Sequence, residues 1–177
     1  MNSTTRERAV VREIPAQSQL FARKAGASYS DSYEIPLTKS TLNAEELYRE
    51  IVAQTPPWIN VLMRVRESIA PCVGVRKVGL LGKGATATGP ATVGEKMDIF
   101  TIWSVTEKEI IVGEDDSHLN FRLSLLKLRE SGRDKVVLSM IVNVNNLVGR
   151  VYLAMVLPFH KVIMRTFLNT AVRRHCV

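Results

Sequence analysis

The chain has 177 residues, 46% hydrophobic and 23% charged, with a formal net charge of +7. That is the size and make-up of one globular domain with its own core, which needs neither disulfides nor a structural metal for stability. Cys72 and Cys176 stand in no C-x-x-C spacing, which excludes a disulfide framework and a cysteine zinc site, so both are expected to be free thiols in a reducing cytoplasm.

Residues 1–25 carry Arg6, Arg8, Arg12, Arg23 and Lys24 against Glu7 and Glu13, and Pro15 interrupts any helix. A flexible basic tail is expected there, with a single domain over residues 26–177. No apolar run follows the first basic residues, so no secretory signal is read. Residues 28–37 alternate, placing Tyr29, Asp31, Tyr33 and Ile35 on one face of a strand that Pro36 ends.

Ser40 is an N-cap candidate with acids in the turn that follows, and Leu47, Ile51 and Val52 recur at helical spacing, so a helix is expected to about Gln54. Pro56 and Pro57 stop it. A second helix from Trp58 presents Ile59, Leu62, Met63, Val65, Ile69 and Val73 as one buried side, and Gly74 closes it. Residues 79–94 are rich in Gly, Thr and Ala and contain Pro90, the composition of an irregular connection. The segment lacks G-K-S/T, so it reads as a loop or cavity lid and not as a phosphate cradle.

Strands are expected over 99–105, 109–113, 119–129 and 135–144, separated by turn-like segments in the manner of an antiparallel meander. In the third, Leu119, Phe121, Leu123 and Leu125 oppose Asn120, Arg122 and Ser124. In the fourth, Val136, Leu138, Met140, Val142 and Val144 oppose Ser139, Asn143 and Asn145. A long helix follows from about Asn146, apolar on nearly every side over its first turns and amphipathic afterwards, and from Arg150 onward there are five Lys or Arg, two His and no Asp or Glu. A surface of that kind should be buried. Its longest uncharged apolar run, residues 151–159, is far shorter than the roughly 20 residues that span a bilayer, so the protein is expected to be soluble.

Strand, two short helices, antiparallel strands and one long helix make an α+β protein whose helix covers one face of a twisted sheet. The order resembles the helix-grip fold of the birch-pollen-allergen, START and polyketide-cyclase superfamily, in which a curved antiparallel sheet wraps a long C-terminal helix around a cavity. Asp115-Asp-Ser-His-Leu-Asn-Phe-Arg122, followed by Asn146-Leu-Val-Gly-Arg-Val-Tyr152 and onward to Ile163, is similar to the bacterial domain of unknown function family 2867. The likeness covers about residues 29–168. It implies a helix-grip fold and small proteins, or C-terminal partners of reductase-type dinucleotide-binding domains, with no established reaction.

Such a cavity would draw on Trp103, Phe121 and Tyr152 as bulky lining, and on His118, Arg122, Asn143, Asn145 and His160 as polar anchors. Each has a plainer reading. His118 borders an apolar strand as a structural histidine would, Pro158, two residues before His160, simply curves the helix, and Asn143 and Asn145 are edge residues if their face meets solvent. Glu114, Asp115, Asp116 and His118 have metal-binding chemistry, yet a hairpin turn needs Asp and Ser anyway, so no metal is expected. No G-x-S-x-G, Cys–His pair or H-E-x-x-H occurs.

The leading expectation is a cytoplasmic binding protein without cofactor for a small hydrophobic or amphipathic molecule or lipid. An acid-base enzyme is the first alternative, with His118 or His160 as the base and Arg122 or Arg150 stabilising an enolate. A peripheral membrane protein is the second, with Arg165, Arg173 and Arg174 near lipid head groups; it requires an exposed apolar stripe. Aromatics are 6% and basic residues do not cluster, so nucleic acid is not an expected partner.

Overall fold

A computed structural model describes residues 9–38, 41–69, 79–80 and 89–173. The strands are β1 (Val10–Val11), β2 (Tyr29–Pro36), β3 (Lys96–Met97), β4 (Phe100–Val105), β5 (Glu109–Asp115), β6 (Leu119–Glu130) and β7 (Arg133–Val144). The helices are α1 (Ala44–Ala53), α2 (Pro57–Ile69) and α3 (Leu147–Arg173). Among the described residues the strands form one antiparallel sheet in the order β1-β2-β7-β6-β5-β4-β3. This is the expected α+β arrangement: a curved antiparallel sheet, two short helices after the first long strand and a long C-terminal helix, consistent with a helix grip.

The meander follows from alternation and turn chemistry. Ser131 and Gly132 both take positive φ, 51° and 77°, the conformation a two-residue hairpin needs, and Glu130 pairs with Arg133 across it. Tyr33, Leu138, Leu125 and Ile110 pair in turn across β2, β7, β6 and β5, which puts them on one face, here called inner. Ile102 pairs with Val112 of the inner face, so alternation sends Trp103 outward, and a register shift between Ile102 and Ser104 marks a bulge that leaves Ser104 opposite the outer-facing Ile111 as well.

α1 begins at Ala44, not after Ser40, which lies outside the described residues. Its N-cap is Asn43, whose side chain accepts from Glu46 N at 2.9 Å while Glu46 Oε2 accepts from Asn43 N at 2.8 Å. Leu47, Tyr48, Ile51 and Val52 then pack on Ile110, Val112 and Leu125 of the inner face. α2 keeps the expected start; of the expected side Ile59 is buried and Met63 half-buried, while Leu62 and Val65 are exposed, as are Trp58 and Val61. Its expected end near Val73 and Gly74, the cysteines and residues 81–88 of the glycine-rich segment lie outside the described residues.

Two expectations fail for physical reasons. The basic tail is structured from Ala9 onward: Ile14 and Leu20 pack on Ile111 and Ile141 of the outer face, and a 3₁₀ turn at Phe21–Gly26 follows. Polar contacts hold it there. Glu109, 3% exposed, accepts from Ser18 Oγ at 2.6 Å, Ser124 Oγ at 2.5 Å and Gln19 N at 3.0 Å, so a buried carboxylate is satisfied by the very segment it anchors.

α3 also differs from expectation. It runs unbroken through Pro158, but among its described residues only Gly149 and, on one side toward the C-terminus, Met164, Leu168 and Ala171 are buried, the last three joining the inner core. Residues Leu147–Val172 are long and apolar enough to cross a membrane, and 11% of their most apolar window is buried. The expectation of a largely buried helix over residues 151–167 assumed that its apolar faces find a protein partner within the domain.

Candidate functional site

Three contacts tie α3 to the sheet. At its first turn a Cβ on Gly149 would lie 2.0 Å from the His118 carbonyl oxygen, so only glycine lets the helix sit on the β5–β6 turn. His118, buried beneath it, meets the Tyr152 ring edge-on at 5.1 Å and brings Nδ1 to 3.3 Å from Asp116 Oδ2. Midway along the helix His160 Nε2 lies 3.0 Å from Asp31 Oδ2 on β2. The buried C-terminal third is the third contact.

Between the first two contacts the packing is loose. Leu153, Val156 and Leu157 of α3 are half-buried, and so are Phe121 and Leu123 of β6 and Met140 and Val144 of β7 on the inner face. β6 and β7 have neighbours on both edges, so the exposure of these side chains comes from above the sheet: the helix stands off it and leaves an apolar groove. Phe100 meets Phe121 edge-to-face at 5.2 Å at one side. Asp31, paired with Met140 across β2 and β7, stands at the other.

Asp31 gathers the polar groups of this groove. Its Oδ2 accepts from the Tyr29 hydroxyl at 3.0 Å as well as facing His160, and the Tyr29 and His160 rings stand edge-on at 6.3 Å. Its Oδ1 is buried with no donor in hydrogen-bond geometry among the described residues. Burial first, and then the Asp31 charge, push the Tyr29 and Tyr33 hydroxyls above the ordinary tyrosine range, so both remain neutral donors. A carboxylate holding an imidazole by one oxygen, with the other oxygen unused, can accept a hydroxyl or ammonium hydrogen from a ligand.

The expected site residues do not converge. Phe121 lines the groove, Tyr152 and His118 pack together at its end, and His160 pairs with Asp31. Trp103, Arg122 and Asn143 are on the outer face, with the sheet between them and α3. There Arg122 runs over Gly113, where a Cβ would meet its Cδ at 2.9 Å. Its guanidinium stacks 3.5 Å from the Trp103 centroid and grips Asp115 through two bonds of 2.8 and 3.1 Å. Asn143 lines a shallow outer depression with Arg23, Asn120 and Ile141, and Asn145 is an exposed linker residue whose Nδ2 donates to Asp116 O at 2.8 Å.

The enolate scheme therefore loses Arg122. The acids of the β5–β6 turn also disperse: Glu114 turns to Lys96 and Thr101, Asp115 to Arg122, and Asp116 to Ser117 and His118. Sequence reasoning missed Tyr29 and Asp31 as site residues, although it placed both on one strand face. The signal available was a carboxylate at an inward position of an apolar strand, which must find a partner.

Sheet, helix and groove define an α+β protein of helix-grip-like architecture with a partly open apolar groove and one polar wall. The family model for a protein of unknown function, DUF2867, matches residues 23–167, and the chain belongs to that family. No curated protein and no solved structure matches the chain.

Proposed function

We propose that this protein binds a small amphipathic molecule in the groove between α3 and the inner face, with its polar end at Asp31 and His160. The observation that supports this most directly is the half-exposure of Phe121, Leu123, Met140 and Val144 on the two interior strands, beneath a helix that does not close on them. Apolar walls with a few convergent polar groups are the usual make-up of a ligand site. The buried Asp31 Oδ1 selects for a donor, so an alcohol such as a sterol or fatty alcohol fits this end better than a carboxylate, which Asp31 repels.

Native mass spectrometry of freshly purified protein should find a co-purifying amphiphile. Fluorescent sterol and fatty-alcohol probes should bind with micromolar or better affinity, and more tightly than the matching fatty acid. Asp31→Asn should narrow that preference. Equal binding of alcohol and acid would remove Asp31 from the site, and no binding of any probe would overturn the groove reading.

The Asp31–His160 pair also favours a second reading, in which Asp31 holds the imidazole for acid-base chemistry on the bound molecule. A retained molecule that is chemically altered by the wild-type protein and unaltered by His160→Ala would support it.

A further inference from the structure

The outward side of α3, opposite the groove, carries its own pattern. Val148, Val151, Met155, Phe159 and Val162 recur every three or four residues and share one face, and each is 45–61% exposed. Met164, Leu168 and Ala171, which are buried, lie on the opposite side of the helix. Lys161 and Arg165, both exposed, form a basic row to one side of the stripe, while Arg150, five helical turns before Leu168, lies on the side away from it. No Asp or Glu follows Asp134 anywhere in the chain.

We propose that this face docks the protein on an anionic bilayer, with α3 lying in the plane of the interface. The stripe enters the acyl boundary and the basic row sits among the head groups. The charge decides between the occupants an apolar stripe could take. A second copy would set two acid-free basic helices against each other. A spanning helix satisfies length and composition, but crossing would pull Met164, Leu168 and Ala171 out of the core. It would also break the Ala9–Asn169 and His160–Asp31 contacts and draw Arg150, His160, Lys161 and Arg165 into hydrocarbon. Lying in the interface keeps all those contacts and turns the positive charge into attraction. This docking does not depend on what occupies the groove.

The full chain should be floated with vesicles of phosphatidylcholine alone and of phosphatidylcholine containing about one third phosphatidylglycerol. Binding is expected to be at least ~10-fold stronger on the anionic vesicles and to fall as added salt screens the charge. Met155→Ser combined with Phe159→Ser should lower it by at least ~10-fold with melting unchanged, since both side chains are exposed. Lys161→Glu with Arg165→Glu should bring it down to the level on neutral vesicles. Four results overturn the proposal: no vesicle binding, equal binding to both vesicles, binding that survives an alkaline carbonate wash as a spanning helix does, or a dimer in analytical ultracentrifugation that the Met155/Phe159 pair dissolves.

Discussion

Gly149 and Glu114 show how single residues fix the frame around the groove. Alanine at 149 would set its Cβ 2.0 Å from the His118 carbonyl, a backbone atom that cannot swing aside. Gly149→Ala should therefore cost about 3 kcal/mol through overpacking, read as a lower urea midpoint. An unchanged midpoint would mean that α3 does not rest on the β5–β6 turn. At Glu114 burial raises the carboxyl pKa, but bonds from Lys96 and from the Thr101 hydroxyl and N–H outweigh it and leave the group below its ordinary value. A depressed carboxylate stabilises the fold fully above its unfolded value of about 4.3 and loses that contribution as pH falls through the folded value. Glu114→Gln should accordingly reduce stability at neutral pH and flatten its fall below about pH 4. A parallel acid limb in wild type and variant would show that the bonds to Lys96 and Thr101 do not form.

At the scale of elements, α3 is buried on one side and exposed on the other, and substitution should show the difference. Leu168 is fully buried and Met155 is 56% exposed, so Leu168→Asp should abolish cooperative melting while Met155→Asp should leave it nearly intact. The N-terminal segment is held by Glu109 in the same one-sided way. Glu109→Ala strands Ser18 and Ser124 without their acceptor, and limited proteolysis should then cut within residues 12–26 far faster than in wild type. The strands over residues 100–144, and which of their residues share a face, were legible because period-two alternation and Ser-Gly or Asp-Ser turns admit few other readings. α1 was legible for the same kind of reason. The docking of residues 12–26 was not, because Ser18 and Glu109 carry it and polar pairs leave no periodic trace. Nor was the Asp31–His160 pair, whose members lie 129 residues apart. Apolarity on nearly every side of the first turns of α3 showed that these faces need cover without showing what supplies it.

In the whole molecule the tight and loose halves of the core sit under one helix. Beneath α1 and the end of α3, Leu125, Val136 and Leu138 are sealed; toward the start of α3, Phe121, Leu123 and Met140 are not. Met140 lies across from Asp31 in that loose half, so its substitution separates an open groove from a close-packed core. In a close-packed core, Met140→Trp overfills the space and should cost about 1–3 kcal/mol. In an open groove the indole finds room and gains apolar burial, so the melting temperature should hold or rise. The same indole occupies the ligand's place. A saturating fatty alcohol at about 100 times its Kd should stabilise wild type by about 2.7 kcal/mol through mass action, and Met140→Trp by almost nothing. Thermal melts of both proteins, with and without the alcohol, give the four values required. If Met140→Trp lowers the melting temperature and the alcohol shifts neither protein, α3 is closed on the sheet and the groove does not bind a ligand.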